Sequence, residues 1–345
     1  MNKFIAIVLG CLLLPTTSHA QRLQQKLGRA VVVTNRNGGN FRLMSNVTDL
    51  SKAHLVIGAG TTVAHFAGGS NNAATVTTKI GALEGTAADG VLGGSASSYE
   101  VGALGENTTF SGLLQAARIT KTGTGVLTLR SAGHTSPITV SGGTLELSNT
   151  ASTAMTSGTI TVGNGATLRG NGMAQTVIVN KGGTITGGIA TMTGKLRLGG
   201  NLTLAGGSTL LCRLTASSNS QLVVSGKVTH QGDTILIDIP ASRTLHVGDV
   251  ISVLSAGSQT GDFVLKVVSE TADYEFDTSS LLTDGTLRVT GTATGLRGVA
   301  SPNQPVDVYS PDGTKLRTAV VWQEALRGLP AGIYIVNGKK ITLTK

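Results

Sequence analysis

The stretch ITVSGGTL, Ile138 to Leu145, reads alone as a short strand, a glycine turn and the start of a second strand. It does not stand alone. ITVGNGATL follows at Ile160 to Leu168, VIVNKGGTI at Val177 to Ile185 and LTLAGGSTL at Leu202 to Leu210. A worn copy, VTHQGDTI, lies at Val228 to Ile235. The first residues of these phrases are 22, 17, 25 and 26 residues apart. A phrase recurring about every 20–30 residues marks a solenoid, whose coils stack and share one core. In each copy two apolar residues at spacing two point inward. The glycine pair allows a sharp corner, and Thr-Leu or Thr-Ile opens the next face.

Antiparallel hairpins compete with this reading, because two-residue glycine turns suit them too. Five aligned copies with irregular insertions between them favour parallel coils. Half-phrases flank the block, GTGVLTL at Gly123 to Leu129 and DGTLRV at Asp284 to Val289. The same grammar continues upstream. LVIGAGTTV, Leu55 to Val63, keeps the order apolar, glycine, Thr-apolar, and Ile80-Gly-Ala-Leu83 and Val101-Gly-Ala-Leu104 lie 21 residues apart. The expected fold is all-β: a β-solenoid over 21–290, with its clear repeats at 120–290. Counted from residue 30 it has about eleven coils and a length of about 50 Å.

Composition agrees. The chain of 345 residues has 48 glycines, 40% hydrophobic residues and only 3% aromatics, so its core is aliphatic and its turns are frequent. Helix signals are confined to one turn at 22–27 and one at 322–327. At Gly291 to Gly298 the pattern lapses into a linker, and 299–345 reads as a small separate β unit built around a Ser-Pro-Asp-Gly turn at 310–313. Tyr309 and Tyr334 are assigned to its core.

Residues 1–20 read as a signal peptide: Lys3, an apolar run from Ile5 to Leu14 too short to span a bilayer, and Ser18-His-Ala20 before Gln21. Val8-Leu-Gly-Cys11 offers a lipoprotein alternative, which stays open. No later segment has the apolar length of a transmembrane helix. Cleavage after Ala20 leaves 26 basic and 18 acidic residues, a net charge of +8. It also leaves one cysteine, so no internal disulfide is expected. That cysteine, Cys212, sits on an apolar strand pattern and reads as a small core residue. The basic residues do not interleave with aromatics, so nucleic acid is not an expected partner. Adhesion to anionic polysaccharide is compatible with the charge.

Two family resemblances emerge from these residues. TKTGTGVLTLRSAGHTSPITVSGGTLELSNT, Thr120 to Thr150, with ITVGNGATLRGNG at Ile160 to Gly172, resembles the autotransporter-associated β-strand repeat. The similarity spans about 105–290 and implies a right-handed parallel β-helix outside the cell. The family's C-terminal membrane barrel has no counterpart in the pattern here, so self-export by that route is not expected. Residues 306–345 are similar to the type A sorting domain of type IX secretion in Gram-negative bacteria. The match lies in Val306-Asp-Val-Tyr309, Asp312-Gly313, Leu329-Pro-Ala-Gly332-Ile-Tyr334, Gly338, and the lysines Lys339, Lys340 and Lys345. It implies contact with the secretion machinery and attachment to, or release from, the outer surface. The family's N-terminal half is abbreviated here.

Catalytic signatures are sparse. There is no G-x-S-x-G elbow, and Gly194-Lys195 lacks the rest of a P-loop. His54, His65, His134, His230 and His246 show no paired zinc spacing. No metal or cofactor is expected. Polysaccharide-cleaving β-helices gather acidic and basic residues from several coils, and the candidates here are Asp233, Asp238, Lys195 and Arg197. Asp233 and Asp238 should face opposite ways, and Lys195 and Arg197 should share a face. No acidic residue recurs at one place in the aligned phrases. The expected function is therefore a non-enzymatic, exported, adhesive or structural β-helix, secreted or on the outer cell surface, meeting surface polysaccharide or host glycan. The alternative is a polysaccharide lyase or hydrolase, or the non-catalytic end of one.

Overall fold

The computed structural model describes residues 6–8, 32–34, 39–43, 48–65, 76–148, 157–293, 305–321, 324–336 and 339–343. Apart from Ala6–Val8, which pairs parallel with Val32–Thr34, the signal-peptide residues lie outside these. So do the predicted turn at 22–27, Trp322, Gly338 and Lys345, and most of the predicted linker.

Between Gly39 and Ser269 the chain forms one sheet of 20 strands. Its strand pairs are parallel, and they fall into three ladders. In the second ladder the quoted phrases stack without offset: Ile138 on Ile160, Ile160 on Val177, Val177 on Leu202 and Leu202 on Val228. The third ladder takes up the Thr-Leu halves, with Thr144 on Thr167, then Thr184, Thr209 and Thr234. The first ladder runs through 91–94 and 113–116, and resumes at Met173–Ala174, Lys195–Leu198 and 221–224. Each coil thus visits three faces. The solenoid is all-parallel, as the repeat spacing predicts.

Ten strands stack in the second ladder, from 49–50 to 258–261. At the parallel-sheet spacing the described stack is about 43 Å long. Coils range from 17 residues (Val162 to Val179) to 31 (His230 to Gly261), and the count falls short of eleven because the chain beyond Ser269 turns antiparallel and adds no coil.

Alternation fixes what goes inside. Ile138, Val140, Leu145 and Leu147 are at most 1% exposed, as are Ile160, Val162 and Leu168 stacked on them one coil later. On the second face the positions between them point outward and carry the β-branched Thr139, Thr161, Ile178, Thr203 and Thr229, which suit a half-covered pleated surface. Corners between second and third faces turn on glycines with positive φ: Gly143 (62°), Gly165 (70°), Gly182 (75°), Gly207 (76°) and Gly232 (81°). The corners are bonded coil to coil, Gly165 N–H to Gly182 O at 3.0 Å and Gly182 N–H to Gly207 O at 2.9 Å.

The half-phrase DGTLRV is not a further coil. Thr286–Ala293 pairs antiparallel with both Val250–Ser252 and Asp273–Asp277. A one-turn helix, Leu281–Asp284, ends at left-handed Gly285 and reverses the chain before this strand. Leu281, Leu287 and Ile251 are buried in the solenoid core cluster, so this sheet closes the end of the core.

Residues 305–343 form a four-stranded antiparallel sheet with its own core of Val306, Val308, Ala325, Tyr334 and Val336. The Ser310–Gly313 turn closes with Gly313 N–H to Ser310 O at 3.0 Å. Tyr334 is core, as predicted. Tyr309 is not: Val306 and Val308 take the inward positions, leaving Tyr309 half-exposed with its hydroxyl donating to Asp307 Oδ2 at 3.3 Å.

The corners supply a stability prediction. A Cβ on Gly143 meets Gly123 O and Gly125 O, both at 2.5 Å, whereas one on Gly165 meets nothing within 4 Å. Both substitutions to Ala carry the left-handed penalty of roughly 1–2 kcal/mol. Gly143→Ala adds a backbone clash. Urea unfolding of the two variants is expected to show the larger loss for Gly143→Ala.

Candidate functional site

The three corners are not equivalent. The described second-to-third corners between Val140 and Asp233 are tight glycine turns. The third-to-first corner varies instead, from two residues at 171–172 to the long excursions 188–194, 214–220 and 240–249. The three long excursions are tied in succession along the edge. Arg213 Nη1 donates to Ala190 O at 3.0 Å, and Arg243 Nη1 donates to Ala216 O at 2.9 Å. The hydroxyls of Thr193 and Ser218 are 2.6 Å apart. Asn219 Nδ2 reaches Ser252 O at 2.7 Å. The result is one continuous loop edge, with Met192 57% and Val247 63% exposed. In solenoids, insertions gathered on one side often form the binding surface.

Two predicted residues border this edge. Lys195 and Arg197 are exposed on the first face, while Leu196 and Leu198 between and beside them are buried. They share a face, as expected. Asp238 lies on the third face, opposite Arg213 in register, with Arg213 Nε 3.9 Å from its carboxylate. Asp233 points the other way, fully buried. The four polysaccharide-cleavage candidates are thus spread over different faces, and Asp233 is sealed in the core.

Sequence reasoning missed the polar groups inside the stack. His230 and Asp233 are both buried, with His230 Nδ1 2.9 Å from Asp233 Oδ1. His230 takes the inward place that Leu204 holds one coil earlier, and Asp233 precedes Thr234 as Ser208 precedes Thr209. On its other side His230 Nε2 lies 3.4 Å from Gln259 Oε1, and Gln259 Nε2 donates to Leu281 O at 2.8 Å. The same inward column holds Lys121, stacked between Val101 and Val140. Its side chain is 1% exposed, and Nζ donates to Thr122 O (2.6 Å), Gly142 O (3.2 Å) and Gly123 O (3.3 Å). Burial holds its pKa down to about 8. Aligning one repeat further upstream, Ile119-Thr-Lys121 against Ile138-Thr-Val140, would have revealed this residue.

His134 does a different job. Where the first face lacks a full strand, its Nδ1 accepts the Leu114 N–H at 3.0 Å, and Ser136 Oγ accepts the Ala116 N–H at 2.7 Å. Side chains supplement a shortened backbone ladder, in which the Thr135 N–H still donates to Leu114 O at 3.0 Å. Burial pushes the His134 pKa down to about 4. Cys212 is buried, its thiol donating to Ser220 O at 3.3 Å, and burial raises its pKa to about 12. That environment keeps it protonated and unreactive.

On the outer side, His54 sits between Glu84 (2.9 Å) and Glu106 (3.4 Å). Among the described residues, no group of three or more His, Cys, Asp or Glu could hold a metal ion. No described helix is long and apolar enough to cross a membrane.

In the tail, Gly332 and Tyr334 lie on the strand Gly332–Val336, paired antiparallel with Lys339–Leu343. Tyr334 donates to Pro330 O at 2.7 Å, and Lys340 is exposed. Of the remaining tail candidates, Lys339 is placed by its backbone alone, and Gly338 and Lys345 fall outside the described residues.

A scan against protein-family models finds no match to this chain, and no curated protein matches it.

Two measurements test the buried groups. Unfolded, the His134 imidazole binds its proton near 6.5; folded, only near 4. Between those values the unfolded state holds more protons, so stability falls as pH drops. At about 1.4 kcal/mol per pH unit the full loss is about 3 kcal/mol. His134→Asn keeps an acceptor for Leu114 and should flatten this part of the stability–pH curve. Separately, His230→Leu or Asp233→Ser alone leaves a buried polar partner stranded, at a cost of about 3–5 kcal/mol. The double variant restores the pair found one coil earlier and should recover most of that loss in urea unfolding.

Proposed function

We propose that this chain is an exported, non-enzymatic adhesive or structural rod that meets polysaccharide along its loop edge. The observation that carries the reading is the concentration of long, mutually bonded excursions at one corner of an otherwise uniform stack. A rigid, proteolysis-resistant frame that varies along a single edge suits contact with an extended polymer. Lys195 and Arg197 border that edge and favour anionic chains.

The repeat phrases support membership of the autotransporter-associated β-strand repeat class, with a right-handed coil. The Leu-x-x-Gly-x-Tyr segment ending at Tyr334, on a strand facing Lys340, supports a sorting role for the tail. Under this reading the leader is removed after Ala20, and the tail engages the secretion machinery and places the rod outside the cell.

The experiment is a binding screen of the purified mature chain against anionic and neutral polysaccharides, with product analysis on each. Binding to anionic polymer that weakens with salt is expected, without new chain ends. Lys195→Glu with Arg197→Glu should weaken it about tenfold while leaving the melting curve unchanged. Salt-independent binding, or turnover abolished by replacing Lys195 or Asp238, would sink the proposal.

A further inference from the structure

The final coil is not closed on every face. Its strand, Leu254–Ser269, stacks on 222–239 with one edge. The antiparallel sheet and the one-turn helix cover the first-face part, where Leu254 is fully buried. The third-face part, 262–268, has no strand paired with its outer edge among the described residues. Its inward residues show the consequence. Ile235 and Ile237 are fully buried, whereas Leu265 and Val267, stacked on them, are only half-buried, as is Phe263. On the outward side Val264 is 60% and Val268 45% exposed. An apolar strand with an open edge is a template for pairing with another chain.

The order of residues along this edge selects the partner. Laid antiparallel against a second copy about Val264, Asp262 of each chain faces Lys266 of the other. Phe263 faces Leu265, and Val264 faces itself. Alternation is preserved, so both ion pairs and the Val264 pair share the outward surface, and the half-buried apolar residues meet on the inward one. Opposite charges directly across an antiparallel pair are favourable, and like charges are not. A contact that matches itself in this way defines a closed two-fold dimer instead of an open filament.

We propose that two copies of this chain join through the 262–266 edge of the last coil, antiparallel and centred on Val264, making one continuous sheet across both third faces.

Sedimentation equilibrium of the mature chain over a concentration series tests this. A monomer–dimer equilibrium is expected. Asp262→Lys and Lys266→Asp should each weaken the dimer by about tenfold, since either creates two like-charge pairs per interface. The double variant Asp262→Lys/Lys266→Asp should restore it. Val264→Lys, at an exposed position, should abolish the dimer with an unchanged circular dichroism melt. A monomer at every concentration, a dimer indifferent to these changes, or a double variant as weak as the singles would overturn the proposal. None of these readouts depends on polysaccharide binding.

Discussion

In a parallel stack each strand bonds to the strand one coil away, so a residue's neighbours above and below are set by register alone. That constraint governs the rest of the molecule. Ile138, Ile160, Val177, Leu202 and Val228 form one inward column because the ladder permits no other arrangement. A side chain that is wrong for its column is wrong against two neighbours. The corner glycines carry the same constraint around the bend, where backbone groups of successive coils bond directly and leave little room for a Cβ at Gly143.

Variation is therefore pushed to places where the ladder does not run. The third-to-first corner absorbs it, and Arg213 and Arg243 make successive insertions support one another. Three polar groups within the stack show how such a residue finds partners there. Lys121 curls its amine onto three corner carbonyls, His230 has a carboxylate, and His134 accepts a backbone N–H from the coil before it.

Much of this was legible in the sequence, for a specific reason. A period-two apolar pattern inside a repeating phrase determines both the faces and the stacking partners, so the quoted copies fall into register as read. The buried polar residues were not legible, because a lysine or histidine in a strand pattern reads as outward unless its column is already known. DGTLRV misled because a strand carries no mark of its direction; the preceding helical turn and Gly285 decide it. Tyr309 and Tyr334 were indistinguishable as aromatic residues, and the phase set by Val306 and Val308 separates them. Insertion lengths were visible as numbers, but not that several of them share one edge.

The line of groups from Asp233 through His230 and Gln259 to the Leu281 carbonyl has a consequence for how such a chain evolves. The coils from Ile138 to Leu204 stack aliphatic residues on aliphatic residues in one register, so duplicating one there keeps the second-face columns matched. A coil inserted after His230 would set an aliphatic residue against its Nε2 and part Gln259 from it. The rod thus carries a terminus written in its own interior, and growth by repeat duplication is confined to the coils that precede it.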